Sequence, residues 1–199
     1  FKTVLLGIAV LLPYSFFCSC LCAVLRIDVN TIFLLSLILF FFLYRHTVTA
    51  SLPKCLAVYV GVCAVQSFPA QFAYSLDSCL HPASGAADLS VEAAFFRLGL
   101  SCLVAVAFAP LACQYFYRMI DCLDIPKIWY MTVSLSSISL VLNVLSIPKS
   151  YNTLHTGRMA FIFPIVESCA FLVLVIIYLL FYKGAAVILE HAELKERTQ

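Results

Sequence analysis

Charge is scarce in this chain. Lys, Arg, Asp and Glu make up 11% of its 199 residues, less than half of the roughly 25% usual in soluble domains. That shortage excludes an ordinary water-soluble fold. The formal net charge of +2 excludes the broad basic surface that nucleic acid requires. Long polar stretches are missing as well, so no separate domain is expected between the apolar segments. A cleavable signal peptide is absent by pattern: the apolar run 3–25 is too long for a signal core, and no small-x-small site follows it. The chain has no internal repeat, and no matched pair of Gly/Pro-broken spans of the kind transporters carry.

Apolar residues dominate instead, at 64% of the chain with a mean hydropathy of +1.05. At about 20 residues per crossing, the apolar runs read as spans at 4–25, 31–47, 55–75, 93–114, 128–147 and 159–182. The expected fold is an all-α membrane protein with six transmembrane helices, short loops and a C-terminal cytoplasmic helix. The transmembrane domain covers 1–182, and 183–199 begins a cytoplasmic signalling or dimerisation helix. Segment 31–47 is the weakest span, because its strongly apolar part is short for a bilayer, and a five-span alternative stays open there.

Lys and Arg set the orientation. With the C-terminus in the cytoplasm, Lys2, Arg45, Lys54, Arg118, Lys127, Lys183, Lys195 and Arg197 lie inside, and Arg26, Arg97, Lys149 and Arg158 lie toward the outside. The excess on the inner side agrees with the positive-inside rule. The longest outer loop, 76–90, holds Asp77 and Asp88 and no Lys or Arg. Lys149 and Arg158, in the last outer loop, run against the rule.

Polar residues within apolar spans are the candidate functional groups, since a charge at that depth is costly. Glu167 lies about two turns into the last span, and Arg97 at a comparable depth in the fourth, so the two are candidates to pair as a latch that a ligand disturbs. The bland alternative is a static ion pair or a carboxylate reaching for the surface. Pro164, one turn before Glu167, removes a backbone donor and marks a candidate hinge. Asn143 lies on a serine-rich stretch with Ser134, Ser136, Ser137 and Ser139, where small and hydroxyl side chains allow close helix contact. Its simplest role is to join helices, and Gln66, Gln71 and Gln114 are weaker instances of the same pattern.

The ten cysteines do not form a disulfide framework by pattern. Eight lie in apolar runs, where Cys acts as a small hydrophobe, and Cys79 and Cys122 fall in loops on opposite sides. Cys18, Cys20 and Cys22 alternate around a helix with no His nearby, which suits packing better than a metal site. No metal or other cofactor is expected here, and no catalytic residue is assigned. His46, His81, His155 and His191 fall in loops or the terminal helix, without the nucleophile–base pairing of an intramembrane protease. His191, followed by Ala192 and Glu193, reads as a solvated helix position rather than a phosphoacceptor.

The chain ends in a polar helical run, 184–199, without a stop signal. Its last residues are Glu193-Leu194-Lys195-Glu196-Arg197-Thr198-Gln199, with Glu193 and Arg197 spaced to pair on a solvated face. Together with six spans and small outer loops, this ending resembles the membrane sensor region of GHKL-type sensor histidine kinases, those of peptide quorum sensing in Gram-positive bacteria. The outer stretch Tyr151-Asn152-Thr153-Leu154-His155-Thr156-Gly157-Arg158 adds to the likeness. The resemblance implies a homodimer joined through the C-terminal helix, a peptide or small-molecule ligand, and a kinase domain with its response regulator beyond the segment read here. Neither a phosphoacceptor motif nor nucleotide-binding boxes occur in these residues.

The expected function is therefore a membrane sensor module that passes a signal through the sixth helix. The bilayer is its first partner, and nucleic acid is not among the expected ones. A small transporter is the alternative, and a structural membrane subunit a third class.

Overall fold

The computed structural model describes residues 13, 14, 17, 20, 24, 29–81, 89–111, 120, 125–147 and 159–197. Five helices are defined among them: α1 (Val29–Thr47), α2 (Leu52–Leu80), α3 (Val91–Leu111), α4 (Pro126–Leu145) and α5 (Met159–Arg197). No strand occurs among the described residues. Four helical stretches are long and apolar enough to cross a membrane: Leu52–Leu80, Val91–Pro110, Pro126–Leu145 and Ile162–Ile188. In hydrocarbon every backbone donor and acceptor must be met within the chain, and helices do this segment by segment. The chain is a multi-pass membrane protein on these grounds. The expected first span, 4–25, lies almost entirely outside the described residues.

Two compact units divide the chain, Phe1–Tyr59 and Val60–Gln199. In the first, the turn from α1 to α2 is tied by Arg45. Its Nη1 donates to the carbonyls of Val48 at 3.0 Å and Ala50 at 2.5 Å, and lies 3.6 Å from Cys55 Sγ. One cation at the end of α1 thus satisfies carbonyls of the turn that follows it. Tyr59 Oη donates to Leu37 O at 2.7 Å, and its ring stacks on Tyr44.

The second unit is organised around the longer part of α2. Phe68, on α2, is 1% exposed and meets Phe171 of α5 edge-on, with ring centroids 5.1 Å apart. Ala64, Val65, Val104 and Leu174 complete this core, so α2, α3 and α5 share it. Gly61 lets α2 and α5 come close: a Cβ there would lie 3.2 Å from the Tyr178 hydroxyl and 3.8 Å from Ser136 Oγ of α4. Small residues at such crossings are the general means by which membrane helices approach one another.

The expected loop 76–90 requires correction. α2 runs on to Leu80, so Asp77 and Cys79 are helical. An Asp in the last turn of an apolar helix is stable here because its charge is met from outside the helix. Asp77 is fully buried, and its carboxylate accepts from the backbone N–H of Ser90 at 3.0 Å and from the Ser90 hydroxyl. Ser90 in turn caps α3, its Oγ accepting from Ala93 N at 3.3 Å. The buried carboxylate and the α3 N-terminus therefore satisfy each other. His46 and Lys54 also shift from expected loops into helix ends, α1 and α2 respectively.

Candidate functional site

Glu167 is buried, at 6% exposure, and its Oε2 has no hydrogen-bond partner. Phe163, Glu167, Phe171, Leu174 and Tyr178 follow one another at helical spacing and share one face of α5. That face turns inward along its length. Phe163 packs with Tyr74 of α2, Phe171 with Phe68, and the Tyr178 hydroxyl bonds Ser136 Oγ of α4. α2 and α5 therefore run antiparallel, and this register sets Glu167 level with Gln71.

Gln71 is 1% exposed. Its Nε2 donates to the backbone carbonyl of Asn143 on α4, while its Oε1 is buried without a partner. Asn143 donates through Nδ2 to Ser67 Oγ at 2.6 Å, and Ser67 donates to Ala64 O, also at 2.6 Å. The Asn143 position thus joins α4 to α2. Gln66 does the same toward α3, donating to Ser101 O at 3.3 Å. Two polar side chains of α2 that the sequence marks only as interface material, Gln66 and Gln71, are thus tied to different helices, α3 and α4.

Arg97 is half-buried on α3. Arg97, Ser101, Val104 and Phe108 share one helix face, and that face meets α2 and α5 through the Gln66–Ser101 bond and the Phe108–Phe171 contact. Pairing Asp77 with Ser90 and Gln66 with Ser101 sets Arg97 at about the level of Gln71. This register brings Arg97 and Glu167 to a similar level of the bundle. Among the described residues, however, no ion pair joins them. Pro164 lies inside an unbroken α5, with Ser168 Oγ donating to its carbonyl at 2.7 Å.

The sequence reading missed Asp77 as a site. Around it, His81 Nε2 lies 3.9 Å from Asp77 Oδ1 and 4.0 Å from Glu92 Oε2. This Ser, His and Asp do not form a nucleophilic arrangement, because the Ser90 hydroxyl is engaged with Asp77 and with the start of α3. No disulfide joins the described cysteines 20, 55, 63, 79, 102 and 169. No group of three metal-binding side chains occurs among the described residues. No protein-family model, curated protein or solved structure matches the chain.

Proposed function

We propose that this chain is a membrane sensor module in which α5 carries a signal from the Glu167 level out of the bilayer. The supporting observation is the continuity of α5, 39 residues from Met159 to Arg197. At 1.5 Å per residue it is about 58 Å long, roughly twice the hydrocarbon thickness of a bilayer. A stiff rod that holds a buried, unsatisfied carboxylate near one end and projects polar residues at the other suits transmission. A ligand favouring one position of the rod shifts the population, provided it binds that state better.

The finer reading is six spans, a cytoplasmic C-terminus and a GHKL-type histidine kinase output acting as a homodimer on a response regulator. It draws support from the Lys/Arg distribution and from the 193–199 ending. The other stretch of that resemblance, 151–158, lies outside the described residues. The test joins a reporter domain sensitive to helix rotation to the C-terminus. Glu167→Gln and Tyr178→Phe are each expected to change output several-fold at equal membrane expression. Output equal to the parent in both variants overturns the reading.

A transport function is the second reading, favoured by the same unsatisfied oxygens of Glu167 and Gln71. Solute flux through liposomes carrying the purified chain, lost in Glu167→Gln, separates it from sensing.

A further inference from the structure

Two oxygen acceptors lie at one level of the second unit with no donor for either: Glu167 Oε2 and Gln71 Oε1. Both side chains are more than nine-tenths buried. A buried acceptor left without a donor is costly, and a buried charge more so. Gln71 cannot relieve its own deficit by turning over. Its amide nitrogen already serves the Asn143 carbonyl, and a flip would set two oxygens against each other. Asn143 has committed its own amide to Ser67. The amide donors of Gln71 and Asn143 are both spent, and the two acceptors remain.

We propose that Glu167 and Gln71 are the protein ends of a monocation site inside the bundle, taking either a proton or an alkali ion. One carboxylate and one neutral amide oxygen carry a single negative charge, which one positive charge neutralises. A divalent ion would leave a net charge in hydrocarbon. A transition metal lacks its nitrogen or sulfur donors here, because no group of three His, Cys, Asp or Glu occurs among the described residues. The polar and charged groups that the helix register places near the Glu167 level are Gln71 and Tyr74 on α2, Arg97 on α3 and Asn143 on α4. Arg97 is the one charge among them. Among the described residues no ion pair joins it to Glu167. This inference names the ligand of the sensing site proposed above and rests on that reading for its purpose, though binding is measurable without it.

The test uses the whole chain in lipid nanodiscs, unfolded thermally and followed through its one tryptophan, Trp129, which is buried on α4. Sodium and potassium chloride are titrated at fixed pH and constant ionic strength with a bulky organic cation as balance. A separate series varies pH without either metal. Stabilisation that saturates with sodium or potassium, and whose half-point rises about tenfold in Glu167→Gln and in Gln71→Leu, identifies an alkali ion. Stabilisation that follows pH and ignores the metal ions, and that Glu167→Gln makes pH-independent, identifies a proton. Under either form Arg97→Gln keeps the response. Three outcomes overturn the proposal: indifference to all three cations, a response unchanged in both Glu167→Gln and Gln71→Leu, or a response abolished by Arg97→Gln. Should the cation bind while the rotation reporter stays silent, the sensing reading fails and the site stands. Should the reporter respond with no cation effect, the site fails and the sensing reading stands.

Discussion

α2 and α5 are both long enough to cross a bilayer, yet they use their apolar side chains in opposite ways. Of the four stretches able to span a membrane, α2 is the least apolar and the most buried, with 44% of its 18-residue apolar window inside the protein. α5 is the most apolar, and 11% of its window is buried. In water the order would be reversed. Lipid removes the hydrophobic drive between helices, so Leu and Ile lose little by facing outward. Gln66, Gln71, Ser67 and Asp77 have no such freedom, because hydrocarbon offers them no partner. The polar side chains of α2 therefore gather the neighbouring helices around it, and α5 meets it with one stripe and gives the rest to the surroundings.

The strongest way to break that contrast is to cut into the buried stripe. Phe68→Ala removes the ring that faces Phe171 and leaves a cavity at the shared core. A loss of about 2 kcal/mol is expected on reversible unfolding in mixed detergent micelles, below the value in a water-soluble core because the transfer contribution is smaller in an apolar solvent.

Gly61→Val should come next, at about 1–2 kcal/mol, since the added methyls collide with the Tyr178 hydroxyl and Ser136. Gly99 provides the control. A Cβ at Gly99 meets nothing within 4 Å, and Gly99→Ala is expected to unfold like the parent. Equal losses at both glycines would contradict the close α2–α5 crossing.

The smallest effect sharpens the comparison from the other side. Leu180 on α5 is 64% exposed, and Leu180→Ala should change stability by less than about 0.5 kcal/mol. A loss as large as that of Phe68→Ala would mean that another chain covers this face.

Much of this fold is legible in the sequence. The apolar runs at 55–75, 93–114, 128–147 and 159–182 each correspond to a helix, because hydrocarbon length sets how long such a run must be. Their ends are less legible. The run ending at 75 stops at the first charge, yet α2 continues to Leu80 because Asp77 finds Ser90, thirteen residues later and brought back only by folding. Asn143 reads correctly as a helix-joining residue from its serine neighbours. Gln71 looks no different from Gln66 in the sequence, and only the bundle shows that one of its two amide atoms is left over.

The sequence by itself determined that this is a membrane protein built of helices and that its last helix continues past the apolar limit. Those properties depend on composition and on run length, which are local. Only the tertiary structure decided that α2 is the buried helix, that Asp77 belongs to it, that Arg97 stays apart from Glu167, and that Glu167 shares its level with an unsatisfied Gln71. Each of these depends on which side chain from a distant part of the chain arrives opposite, and helix register and donor geometry settle that.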